Sequence, residues 1–120
     1  MKIAFTTSGN ELDAPMDSRF GRAASFLVYD IDSGAFEVVS NQQSLNAAQG
    51  AGIQAAEAVA RLGVEALVTG HCGPKAFRVL QAAGIKIYLT DADTVAGALE
   101  LYRTDKLGPV QAADVEGHWA

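Results

Sequence analysis

The chain has 120 residues, 49% hydrophobic and 19% charged, with a net charge of −5 and one cysteine. These values predict a single globular domain over residues 1–120, with residues 105–120 as a C-terminal tail. The acidic balance disfavours a nucleic-acid binder, which needs a basic face. One cysteine cannot form an internal disulfide, and no apolar run reaches the ~18 residues of a membrane span, so we expect a cytoplasmic protein.

The first part of the chain is dominated by strand patterns. Lys2–Thr7 alternates and is rich in β-branched and aromatic residues, which predicts a first strand. Ala24–Asp30 and Ala35–Ser40 flank the turn signal Asp32-Ser33-Gly34, so they predict a β-hairpin. Polar segments at 8–17 and 41–49 predict loops after the first and third strands.

From Gly50 onward, helical periodicity alternates with short apolar runs. The pattern predicts a helix ending at Gly63, a strand Val64–Thr69, a helix Pro74–Ala83 stopped by Gly84, a strand Ile85–Thr90, and a helix capped by Thr94 and running to about Arg103. The order β-β-β-α-β-α-β-α indicates an α/β fold with a mixed five-stranded sheet flanked by helices.

Ligands in open α/β sheets bind outside the carboxyl ends of parallel strands. Three loops, residues 8–22, 41–52 and 70–75, should converge there. Their arginines, lysine, imidazole and two helix N-termini predict an anion-binding site. The candidate ligand-binding residues are Arg19, Phe20, Gly21, Arg22, Asn46, Gly50, Gly52, Ile53, His71, Cys72, Gly73 and Lys75. None of them is assigned a catalytic role.

The segment around Cys72 leaves several chemistries open. His71 to Arg78 spells H-C-x5-R, which resembles the signature of phosphatases whose thiolate attacks phosphorus. Pro74 argues against this, because it removes a backbone N–H from the phosphate cradle and starts the helix early. Alternatively, His71 and Cys72 ligate metal, although even with His118 they fall short of tetrahedral zinc. The remaining alternative is that Cys72 packs as a small hydrophobe.

Two further patterns are weaker. Gly50–Ala55 fits G-x-G-x-x-A, but it lacks the preceding strand and the later acidic residue of a dinucleotide site. Three carboxylates in the first loop match no calcium-loop spacing. We interpret them as solubilising groups or as partners of nearby arginines: Glu11, Asp13 and Asp17 with Arg19 and Arg22.

Taken together, the loop motifs resemble one family, the dinitrogenase iron–molybdenum cofactor biosynthesis domain, over about residues 1–104. The matching segments are Asp17–Arg22, Gly50–Ala56, Gly63-Val64, Gly70–Ala76 and Gly84–Tyr88. The resemblance implies a ribonuclease H-like fold and the holding or transfer of an anionic metal–sulfur cluster. The implied cofactor is a molybdenum–copper sulfide cluster held without covalent attachment, and a four-thiolate iron–sulfur cluster is disfavoured by the single cysteine.

The sequence therefore predicts a non-enzymatic carrier of a molybdenum-containing cluster, with Arg19, Arg22, Lys75 and His71 as polar contacts and Phe20 and Ile53 as an apolar wall. The expected partners are the cluster itself and an ATPase or cluster-assembly protein, with no nucleic acid and no membrane. Two alternatives stay open: the cysteine-dependent phosphatase, and a metal-free regulatory module that binds a partner protein.

Overall fold

The computed structural model of the chain describes residues 1–41 and 50–110. Its elements follow the predicted order: β1 Lys2–Thr7, β2 Ser25–Asp30, β3 Phe36–Ser40, α1 Ala51–Ala60, β4 Ala66–Thr69, α2 Pro74–Ala82, β5 Lys86–Leu89 and α3 Val95–Arg103. A short 3-10 turn, Phe20–Arg22, interrupts the first long loop. The helical stretch that begins after Gly50 was predicted correctly, and β4 and β5 are shorter than predicted.

The strands form one mixed five-stranded sheet in the order β3-β2-β1-β4-β5. The hairpin partner β2 lies antiparallel to β1 and β3, whereas β4 is parallel to both β1 and β5. This confirms the predicted mixed sheet. The carboxyl ends of β1, β4 and β5 therefore lie at one edge of the sheet, which we call the carboxyl edge.

Helices cover both faces of the sheet. On the first face α1 and α2 pack on β4 and β5, through side chains such as Val59 and Leu80 against Leu67 and Ile87. On the second face α3 contributes Val95 and Leu99 to a cluster with residues of β1, β4 and β5. The chain consequently leaves β4 toward one face and β5 toward the other.

Local sequence explains the ends of the helices. Gly63 and Gly84 have φ of 75° and 79°, the left-handed conformation in which glycine commonly follows a helix. Thr94 caps α3, since its Oγ1 accepts a hydrogen bond from Gly97 N at 3.0 Å. After α3 the chain doubles back along β5, where Val110 N donates to the carbonyl of Ile87 at 2.8 Å. In the ranges described, no helix has the length and apolarity needed to cross a membrane.

Ion pairs are found at the opposite edge of the sheet. Within residues 1–41 and 50–110, they join the N-terminal ammonium to Asp30 at 3.7 Å and to Asp32 at 2.8 Å. The hydrogen bond with Asp32 raises the pKa of that ammonium group above its usual value. These opposite charges form ion pairs with one another, and they lie far from the carboxyl edge.

Candidate functional site

Two of the three predicted loops meet at the carboxyl edge. Arg19 forms an isolated parallel bridge with His71, and Phe20 N donates to the carbonyl of His71 at 3.2 Å. The segment after β1 thus lies beside the segment after β4, as a short extension of the parallel sheet. The helix α1 also packs on the Phe20–Arg22 turn. The predicted meeting of the loops after β1 and β4 is thus seen, whereas residues 42–49 of the other predicted loop lie outside the described residues.

Buried hydroxyl groups fix the first loop to the sheet. Asp17 N donates to the carbonyl of Thr6 at 2.9 Å, and Thr6 Oγ1 donates to the carbonyl of Asp17 at 2.7 Å. Thr6 Oγ1 also lies 2.8 Å from Thr69 Oγ1, so a hydrogen bond between two fully buried threonines links the ends of β1 and β4. Sequence reasoning missed both threonines; the available signal was a threonine ending each of two apolar strands.

Gly70 lets the two loops approach closely. A Cβ atom at this position would lie 2.7 Å from the carbonyl oxygen of Ser18 and 2.8 Å from its Cα. Backbone atoms cannot move aside as the end of a side chain can, so only glycine fits here without displacing the loop. Gly70 therefore sets the spacing between Arg19 and His71.

The predicted polar contacts are exposed at this edge: Arg19, Arg22, His71 and Lys75. Among the described residues no carboxylate lies within 4.0 Å of the side-chain nitrogens of Arg19, Arg22 or Lys75. Asp17 instead accepts a hydrogen bond from the backbone N of Arg19 at 3.2 Å. Of the two roles considered for the loop carboxylates, pairing with these arginines is therefore not found in the described ranges, and a solubilising role stays a prediction. Within the part of the chain that the structure describes, two guanidinium groups and an ammonium therefore have no carboxylate partner.

Backbone donors add to this positive face. The N-cap residues of α1 and α2, Gly50 and Gly73, have no side chain that could accept a hydrogen bond from the first turn. In α3, by contrast, Thr94 supplies that acceptor. Unsatisfied N–H groups and the positive end of the helix dipole favour an anion at such termini.

Several predicted site residues are buried beneath this surface. Phe20 is 1% exposed and packs on Phe26, with ring centroids 5.8 Å apart. Its ring therefore anchors the turn from inside the core, whereas Ile53 is partly exposed on α1. Gly21, Gly52 and Gly73 are buried and Gly50 is exposed. Asn46 and His118 lie outside the described residues.

Cys72 is also buried, at 1% exposure, in the cluster on the first face of the sheet. Its Sγ donates to the carbonyl of Gly73 at 3.7 Å. Arg78 is exposed one turn into α2, so the thiol and this guanidinium do not form an open phosphate cradle. Within the described ranges no three His, Cys, Asp or Glu side chains come together as a metal site. Ligation of a metal by His71 or Cys72 stays a prediction.

We expect the thiol of Cys72 to react slowly with Ellman's reagent. Because a local opening must first expose the sulfur, the rate in folded protein should be roughly hundredfold or more below that of urea-unfolded protein. A Cys72→Ala/Gln81→Cys variant provides the control, since its thiol would lie at an exposed position of α2. Equal rates for the native and the control thiol would contradict the burial of Cys72.

A crevice of about 700 Å³, missed by sequence reasoning, opens beside the cationic face. It lies where the connections after β4 and β5 diverge to opposite faces of the sheet, the position at which α/β sheets commonly bind ligands. Gly70 and His71 form one side, and Thr90–Asp93 and Lys106-Leu107 form much of the remainder. Sequence reasoning had no signal for it beyond the end of β5, because its walls come from four distant segments.

The fold and this edge define a small α/β domain with a cationic face at the carboxyl edge of its mixed sheet. The family model of the dinitrogenase iron–molybdenum cofactor matches residues 1–105. The chain belongs to this family, as its motifs predicted.

Three relatives give the comparison detail. The apo form of the orange protein from Desulfovibrio gigas is 41% identical, with a TM-score of 0.92 and coverage of 95% of this chain and 96% of that one. The NMR structure of a proposed NifB protein from Thermotoga is 31% identical, with a TM-score of 0.80 and coverage of 95% and 98%. An uncharacterized protein of Methanocaldococcus jannaschii is 30% identical over 110 residues, 89% of either chain.

Proposed function

We infer that this protein binds and carries an anionic molybdenum-containing metal–sulfur cluster without catalysing a reaction on it. The observation that carries this proposal is a set of three cations at the carboxyl edge that have no carboxylate partner among the described residues, Arg19, Arg22 and Lys75. They lie beside two helix N-termini without side-chain caps. Membership of a family described by the iron–molybdenum cofactor supports the choice of cargo. The likeness to the orange protein supports it further.

The donor set suits a cluster that brings its own ligands. Guanidinium, ammonium and backbone N–H groups donate hydrogen bonds, and the sulfide ligands of a thiometallate are anionic acceptors. Within residues 1–41 and 50–110 no three metal-ligating side chains come together, which favours contacts to the sulfide surface of such a cluster over a protein cage around its metal ions. A mixed molybdenum–copper sulfide is the cargo we favour, because it carries a negative charge over a large, sulfur-covered surface.

The alternative functions gain less support. A phosphatase would need an accessible thiolate, whereas Cys72 is buried and Arg78 points from a later turn of α2. A carrier must exchange its cargo, so we propose an assembly protein or ATPase as partner and the cytoplasm as the site of exchange. The metal-free regulatory module would bind such a partner but no cluster.

Titration of the apoprotein with tetrathiomolybdate, alone and with Cu(I), tests the proposal. We expect a saturable visible charge-transfer spectrum and molybdenum that stays with the protein through gel filtration, in a constant ratio by elemental analysis. Copper should increase this retention if the mixed cluster is the cargo. Molybdate, which has the same charge but oxygen ligands, is the control anion.

Two results would decide against the proposal. Loss of all molybdenum on gel filtration would exclude carriage of such clusters. Equal retention of molybdate and tetrathiomolybdate would show a general oxyanion site instead.

A further inference from the structure

The crevice beside the cationic face differs from it in chemistry. Its lining includes four partly buried apolar side chains, which we call the apolar floor: Met16, Leu89, Leu101 and Leu107. The lining also includes three exposed charged residues, the carboxylates Asp91 and Asp93 and the ammonium of Lys106, which we call the rim. Neither aspartate has an ion-pair partner in residues 1–41 and 50–110.

This combination does not suit the cluster. An anionic sulfide would be repelled by the two aspartates, which outnumber the one lysine of the lining. The volume of about 700 Å³ nevertheless lies within the ~300–1,000 Å³ of common ligand pockets. An apolar centre with a charged rim is the arrangement found where a protein partner inserts anchoring side chains.

We propose that this crevice docks an extended segment of the exchange partner, with an aliphatic side chain on the apolar floor and a flanking lysine or arginine at Asp91 and Asp93. Charge complementarity carries the choice: the described rim is acidic on balance, and the whole protein has a net charge of −5. The negative electrostatic potential of such a surface steers a basic partner toward it before contact.

The crevice lies next to the proposed cluster site, so docking there would assist cluster exchange. This role rests on the proposed carrier function. His71 and Gly70 border the crevice, while Arg19 lies beside His71 at the cationic face. A segment bound in the crevice would hold its protein next to the cluster. The partner would thus be recognised through one surface and the cargo through another.

Selection from a random peptide library displayed on phage tests this proposal with the apoprotein. After selection on the native chain, the recovered sequences should combine an aliphatic residue with a neighbouring lysine or arginine. The strongest binder is then synthesised and its affinity measured by fluorescence anisotropy, with binding mapped by NMR amide shifts. Shifts should concentrate at Ser18, Gly70 and residues 90–93 and 106–107.

Variants that remove either the negative charges or the positive charge of the rim test whether its carboxylates bind the peptide. Asp91→Asn/Asp93→Asn should weaken the peptide about tenfold, as expected for loss of charge pairs at a partly buried rim. Lys106→Gln should leave the affinity equal or increase it. Glu37→Gln/Glu57→Gln, which removes the same charge from exposed positions elsewhere, is the control and should change it less than twofold, the ~0.4 kcal/mol scale of remote surface charge.

Four outcomes would overturn the proposal. These are no enrichment, enriched sequences without basic residues, equal weakening by the control pair, and amide shifts that map outside the crevice. None of these depends on cluster binding, so the docking surface and the carrier function succeed or fail separately.

Discussion

Replacing Arg19 and Arg22 together by glutamine should weaken tetrathiomolybdate binding about ten- to hundredfold. Hydrogen bonds to charged groups contribute ~1.5–3 kcal/mol each when well formed, and solvent at these exposed positions reduces that value. Neither guanidinium has a carboxylate partner among the described residues, so its removal should cost little folding stability. Spectroscopic titration at two salt concentrations would measure the effect.

Two comparison variants separate local from general electrostatics. Arg61→Gln/Arg103→Gln makes the same change of net charge at exposed positions after α1 and at the end of α3. Cys72→Ala tests ligation by the thiol. If the Arg61/Arg103 variant weakened tetrathiomolybdate binding as much as the Arg19/Arg22 variant, the carboxyl edge would not be the anion site. A larger loss in Cys72→Ala than in the Arg19/Arg22 variant would mean that sulfur coordinates the metal directly.

Gly70→Ala should damage both stability and binding. The added methyl group would meet the Ser18 backbone at 2.7 Å, so the loop that carries Arg19 must move away from His71. Forcing extra atoms into a packed site typically costs ~1–3 kcal/mol of unfolding free energy. Urea unfolding would measure that loss, and titration with tetrathiomolybdate should show weaker binding even where the variant is fully folded.

Gly108→Ala is the matched control. A Cβ at Gly108 meets no atom within 4 Å, so the same substitution should leave stability and binding nearly unchanged. If Gly70→Ala behaved like Gly108→Ala in both measurements, the close packing of the two loops would not be what organises the cationic face.

Much of the fold was predictable because its signals are local. The alternation of Lys2–Thr7, the glycines at 63 and 84 and the cap at Thr94 each act within a few residues. The order of elements then left few arrangements for the sheet. The meeting of Arg19 and His71 was predictable from that arrangement, because each residue follows one of two parallel neighbouring strands.

The remaining features depend on contacts between distant segments. The link between Thr6 and Thr69 joins residues 63 positions apart, and each is an ordinary strand residue in the sequence. Phe20 and Cys72 were placed in the site by their neighbours, but their side chains turn into the core. The crevice combines loops after β1, β4 and β5 with the chain after α3, and no local pattern specifies such a meeting.

The pairing of Arg19 with His71 also bears on how the protein matures. This contact, like the Thr6–Thr69 link, closes a long loop and forms only after β1 has joined β4, whereas the β2–β3 hairpin can form early from neighbouring residues. A chain in which only the hairpin has folded therefore does not yet hold Arg19 beside His71. Under the proposed carrier function, a cluster would bind only the finished fold and would stabilise it by mass action, so loading would report that folding is complete.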